Sequence, residues 1–98
     1  MAMQGMNAVS GAVQAGAKAY AASDRRLKNV ISRVGTFNHI GLYAYTYKPG
    51  FGLPVGVQLG VMADEVERVM PNAVGVIVDG DVLAGYKAVD YNAVFGGV

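Results

Sequence analysis

Ser23 and Lys28 are the two side chains whose types and spacing could do covalent chemistry: a hydroxyl nucleophile and, five residues on, an amine that can serve as its base. A serine hydroxyl attacks a carbonyl only when its proton is taken, and a neutral lysine amine is a known alternative to histidine for that task. For Lys28 to be neutral it must be buried or sit beside other cations, and Arg25 and Arg26 lie between the pair. The same stretch has a structural reading. Ser23 and Asp24 are both good N-cap residues, and Asp24 would complement the positive end of a helix. On these residues alone both readings stand.

The other candidates are weaker. No cysteine is present, so disulfides and thiolate metal sites are excluded. A single histidine, His39, would need carboxylates or other subunits to complete a metal site, and a loop histidine is more often solvated or capping. Asp64, Glu65 and Glu67 could form an acid/base couple or a cation site, yet beside Arg68 they read as the solvated face of a helix. Asp79 and Asp81 lack the further ligands of a calcium loop. The glycines of Lys48–Pro54 have no Gly-Lys-Ser/Thr ending, so they give no support to nucleotide binding. No cofactor and no metal are expected. A net charge of +1 predicts no strong attraction to nucleic acid or membrane.

The elements that would position Ser23 and Lys28 can be read from periodicity. Ninety-eight residues, 53% of them hydrophobic, fit one small domain. Chains of this size bury only about 60 to 65% of their unfolded surface, so a core is marginal and association with other copies is favoured. The low charged fraction, 15%, points the same way. Met3, Met6, Val13, Ala17 and Tyr20 recur at helical steps, which predicts an N-terminal helix over residues 1–22. Gly5, Gly11 and Gly16 each weaken such a helix by about 0.8 to 1 kcal/mol, so it would need packing to persist. That segment lacks the cationic start and long apolar core of a signal peptide.

Leu42–Lys48 alternates, with Tyr43, Tyr45 and Tyr47 on one face, which predicts a strand. Such a tyrosine face could bind sugars or bases, but it more often packs on a helix or a neighbour with its hydroxyls at the rim. Residues 55–61 read as its antiparallel partner after the turn-rich Lys48–Pro54 loop. Met62–Met70 has a helical apolar stripe of Met62, Val66, Val69 and Met70, acidic residues at its start and Pro71 to stop it. Residues 74–78 and 82–89, joined by Asp79-Gly80-Asp81, predict a second hairpin, and the apolar 91–98 tail is expected against another copy. Together these give an α+β domain: an N-terminal helix, then a small antiparallel sheet of about four strands with one packed helix.

Read in order, the segments carry a family likeness. Ser23-Asp24-Arg25-Arg26-Leu27-Lys28-Asn29-Val30-Ile31 resembles the opening signature of the peptidase S74 family, the C-terminal intramolecular chaperone domain of phage tailspikes and tail fibres. Tyr43-Ala44-Tyr45-Thr46-Tyr47 resembles its tyrosine-bearing strand, and Gly60–Glu67 its helix start, with Asp64 where the family usually has Gln. Pro71-Asn72-Ala73-Val74 and Tyr86-Lys87-Ala88-Val89-Asp90-Tyr91 resemble its helix stop and closing strand. The resemblance implies a homotrimer in a phage particle, assembled in the host cytoplasm. It also implies self-cleavage between Ala22 and Ser23, with Ser23 and Lys28 as the catalytic pair.

Twenty-two residues precede the serine, and the helices usual beyond the closing strand are missing. The expected organisation is therefore a helical attachment segment, residues 1–22, that binds other virion proteins, followed by a chaperone and trimerisation domain, residues 23–98. The expected role is that of a virion structural protein of tail, fibre or head-tail junction. A Ser-Lys self-cleaving protease is the alternative, and glycan binding by the tyrosine face is a third reading.

Overall fold

The structure is a computed structural model and describes residues 11–13 and 20–96. In chain order the elements are β1 (Gly11–Val13), β2 (Tyr20–Ala22), β3 (Lys28–Phe37), β4 (Ile40–Tyr47), β5 (Gln58–Gly60), α1 (Ala63–Val69), β6 (Val74–Ile77), β7 (Lys87–Asp90) and α2 (Tyr91–Phe95). Short 3-10 turns at Arg25–Leu27 and Pro71–Ala73 precede β3 and β6. The strands form two sheets, β1-β6-β7-β2 and β3-β4-β5. All pairings are antiparallel except β1 with β6.

This corrects the expected α+β domain with an N-terminal helix: the described fold is mostly β. Gly11–Val13 pairs with β6, Gly11 opposite Gly75, and Tyr20–Ala22 pairs with β7, Ala22 opposite Ala88. The rest of the expected helix, residues 1–10 and 14–19, lies outside the described residues. The physical reason is visible at both edges of the β6–β7 pair. Each edge presents unpaired backbone donors and acceptors. The upstream chain satisfies them, whereas a glycine-interrupted helix has little propensity to compete.

β3 and β4 form a hairpin closed at Phe37 and Ile40. Its two central residues, Asn38 and His39, have φ of 50° and 65°, as a primed hairpin turn requires. His39 is thus a turn residue. β3 carries two register shifts against β4, between Val30 and Ser32 and between Arg33 and Gly35. β5 pairs with the other edge of β4, but covers only three residues of the expected 55–61. Gly56 has φ of 97° and Val55 is 96% exposed, so the segment before β5 leaves both the extended backbone and the core.

The core is built from Ile40, Val61, Ala63, Val66, Ala73, Val74, Val89 and Val94, flanked by Phe37, Leu42, Met70, Tyr91 and Phe95. α1 supplies Ala63 and Val66, while Val69 of the expected stripe is exposed. Met62 is fully buried just before the helix. β6 and β7 make the second expected hairpin, though β7 starts at Lys87 because residues 78–86 fold into consecutive turns. Leu83 N bonds Gly80 O, Tyr86 N bonds Leu83 O, and Gly85 N returns to Ile77 O. Of the apolar 91–98 tail, residues 91–96 fold back onto their own chain, and residues 97 and 98 lie outside the described residues. α2 is capped by Asp90 and buries Val94 in the core.

Candidate active site at the Ala22–Ser23 bond

The chain passes from β2 through Ser23 and Asp24 into the Arg25–Leu27 turn, so the Ala22–Ser23 peptide bond is gripped on several sides. Ser23 N donates to Lys87 O at 3.1 Å, and Ser23 O accepts from Ala63 N at 2.8 Å. Asp24 caps the turn and accepts from Arg26 N and from Lys87 N, both at 3.0 Å. Its carboxylate also takes the Arg26 guanidinium at 2.8 Å. Burial alone would raise the Asp24 carboxyl, but the hydrogen bonds from Arg26 and Lys87 outweigh it and hold it below the ordinary range. The expected capping role of Asp24 is therefore met, on a 3-10 turn.

Ser23 is fully buried and Lys28 is 4% exposed. Both face the tyrosines of β4 and α2. Lys28 Nζ lies 4.0 Å from the centroid of the Tyr45 ring and donates to Val61 O at 2.7 Å. Val61 N in turn donates to Tyr91 OH at 3.1 Å, and Tyr91 OH lies 3.4 Å from Ser23 Oγ. Val61 is thus where the two predicted residues meet. No hydrogen bond joins Ser23 directly to Lys28 in this arrangement.

The electrostatics favour a neutral amine. Burial, reinforced by the Arg25 charge and only partly offset by Asp24, lowers the Lys28 ammonium from 10.5 to about 7. Of the two arginines, Arg25 acts on Lys28, while Arg26 is engaged by Asp24 and lies over the Tyr86 ring. Arg25 is held in place by Asp64 at 3.2 Å and Glu65 at 3.0 Å. Asp64, at the position where a family glutamine was expected, therefore serves as a guanidinium partner.

Glu65 is a further residue that periodicity placed on a solvated face. It is buried, accepting from Gly41 N at 2.8 Å and from Tyr43 OH as well as from Arg25. Burial pushes its carboxyl up, but these three donors bring it below the usual carboxylate range. Gly41 has no side chain because a Cβ there would fall 2.8 Å from the Tyr43 ring and 2.9 Å from Glu65 Oε1.

One tyrosine of the β4 face touches the bond, and a second backs it. Tyr47 OH donates to Ala22 O at 2.7 Å, and Tyr45 OH donates to Tyr47 OH at 3.3 Å. Tyr91 reaches the serine from the far end of the chain. The alternation of β4 was the signal for the first pair, since it places Tyr43, Tyr45 and Tyr47 on one face. Nothing local marked their target. The tyrosine face is turned toward the serine, Lys28 and Glu65, with Tyr45 at its centre 3% exposed.

Residues 23–75 match the family model Peptidase_S74, described as chaperone of endosialidase, over just more than half of the chain. No curated protein and no solved structure matches it.

Proposed function

The chain belongs to the Peptidase_S74, chaperone of endosialidase, family, and from that premise we propose that it is the chaperone domain of a phage tail or fibre protein, which cuts its own Ala22–Ser23 bond once folded. The observation that carries the cutting is the buried Lys28 amine, lowered to about 7 and linked through Val61 and Tyr91 to a fully buried serine. A lysine with no catalytic use is rarely buried away from a carboxylate partner, because desolvation costs the charged form several kcal/mol.

The chemistry begins when Lys28 Nζ exchanges Val61 O for Ser23 Oγ and takes its proton. Oγ then bonds to the Ala22 carbonyl carbon, and the carbonyl electron pair moves onto the oxygen. As that pair returns, the bond from Ala22 C to Ser23 N breaks and the nitrogen takes the proton from the Lys28 ammonium. The product is an ester with a free Ser23 amine. Water opens the ester, leaving an Ala22 carboxylate and restoring the Ser23 hydroxyl. Nucleophile and carbonyl belong to adjacent residues, so no separate substrate has to be bound.

Association with further copies is the other half of the reading, and the homotrimer that the sequence resemblance implied is its expected form. Val30, Ile31 and Val34 on β3, Leu59 on β5, and Val55 and Val57 before it are 44 to 96% exposed, which supports apolar surface that another copy covers. Attachment to other virion proteins through residues 1–22 belongs to the same proposal. The test is the intact mass under denaturing conditions, for the chain as folded and for Ser23→Ala. The expected result is a fragment beginning at Ser23 in the first and a whole chain in the second. A whole chain in both overturns the cutting and leaves a chaperone domain alone.

A further inference from the structure

We propose that Tyr47 is a catalytic residue of the self-cleavage, donating its hydroxyl proton to the Ala22 carbonyl oxygen as negative charge develops there. The inference rests on the cleavage reading above and assigns to it the group that stabilises the oxyanion. An addition to a carbonyl is slow unless the oxygen that gains the electron pair already faces a donor, and such donors act most strongly where water is excluded.

Three observations converge on Tyr47. Its hydroxyl is 2.7 Å from Ala22 O, within the range expected of an oxyanion donor, and the oxygen stays on the same carbon through the addition. Its own oxygen is polarised by the hydrogen bond from Tyr45 OH, so its proton is a better donor than that of an isolated phenol. Lys28 Nζ lies 4.0 Å from the Tyr45 ring centroid and 5.8 Å from that of Tyr47. When the lysine accepts the serine proton, a positive charge therefore forms beside the two rings as the negative charge forms on the oxygen that Tyr47 holds. Burial keeps the Tyr47 phenol above its ordinary range, so it is protonated wherever Lys28 is neutral enough to act.

The backbone supplies what the side chain needs. β2 is paired with β7 through Ala22 and Ala88, which fixes the direction of the Ala22 carbonyl, and the alternation of β4 points Tyr45 and Tyr47 to that side. The Ser23 amide is tied to Lys87 O. The peptide bond is thus held with its oxygen against a phenol while its nitrogen is oriented by a carbonyl.

The experiment is the first-order rate of fragment appearance in the full-length chain and in Tyr47→Phe, followed by intact mass after refolding across neutral pH. Tyr47→Phe is expected to cut about 10²- to 10³-fold more slowly, with the rate still rising through a midpoint of about 7, because Lys28 is untouched. A chain carrying 3-fluorotyrosine at position 47, which keeps both ring and donor, is expected to retain most of the rate. Tyr47→Phe cutting within about twofold of the unaltered chain, on the scale of an oxyanion donor's effect, overturns this inference alone. So does a loss of rate accompanied by a shifted midpoint, since that would place Tyr47 in support of Lys28. An unaltered chain that never cuts overturns the cleavage reading and this role together.

Discussion

Burying Lys28 has a thermodynamic consequence that can be measured without any cleavage. In Ser23→Ala the bond stays whole, and folding stability should rise with pH through the neutral range. An unfolded lysine keeps its proton up to 10.5, whereas the folded one releases it at about 7. Between those values the unfolded state binds more protons, so the unfolding free energy increases with pH. The contribution is fully present above the unfolded value and is lost as pH falls to the folded one. Each unit of separation is worth about 1.4 kcal/mol. From about pH 6 to about pH 9 the gain is about 2.7 kcal/mol, because only the roughly two units above the folded value contribute in full.

Asp24, Glu65 and the three tyrosines of β4 titrate outside this window. Asp24 and Glu65 are lowered and act in acid, while Tyr43, Tyr45 and Tyr47 are raised and act in strong alkali. Urea unfolding followed by circular dichroism, at one protein concentration, reads the effect. With a slope of about 1 to 1.5 kcal/mol per molar for a chain of this size, the midpoint should move up by roughly 2 M. Lys28→Met in the same background should remove the pH dependence, and at the acid end it should be the more stable chain despite losing the bond to Val61 O. A midpoint that stays level between the two pH values, or one that climbs equally with methionine at 28, refutes the account of Lys28 as a strained buried base.

One glycine and one carboxylate around the site make further predictions. Gly60→Ala places a methyl group against Tyr91 OH and within 3.3 Å of Tyr45, so it should cost about 1 to 3 kcal/mol in chemical denaturation. Adding Tyr91→Phe should recover part of that loss, since the colliding hydroxyl is gone. Glu65→Gln leaves an amide facing the Tyr43 hydroxyl and the Arg25 guanidinium, and it should destabilise the chain by about 1 to 3 kcal/mol in the same measurement. An unchanged midpoint would show that Glu65 is not held by these donors.

What the sequence made legible was whatever had a local period or a fixed spacing. The β4–β5 and β6–β7 pairings and the α1 helix with its Pro71 stop were readable in that way. β3 was not, because a strand reveals itself by alternation between core and solvent, and β3 is exposed over most of its length and breaks register twice. The upstream segment misled because its three- and four-residue steps mimic a helix, while the competing sheet edges lie more than 60 residues further along. Tyr47 and Tyr91 meet the bond across 25 and 68 residues of chain, so their roles follow from packing that no spacing encodes. Glu65 looked solvated because its three donors come from other elements.

β1 and β2 border the β6–β7 pair from opposite edges, so the segment upstream of Ser23 clasps the domain on both sides. A chain severed at Ala22 would keep its two parts together through those ladders, like a nicked protein that still migrates as one body. On the proposed cleavage, scission and separation would be distinct events with distinct rates: the first would be set by Lys28 and the serine, the second by how fast six residues of edge strand peel away. Anything that pulls on the upstream part, or that competes for the edges of β6 and β7, would govern release without touching the chemistry.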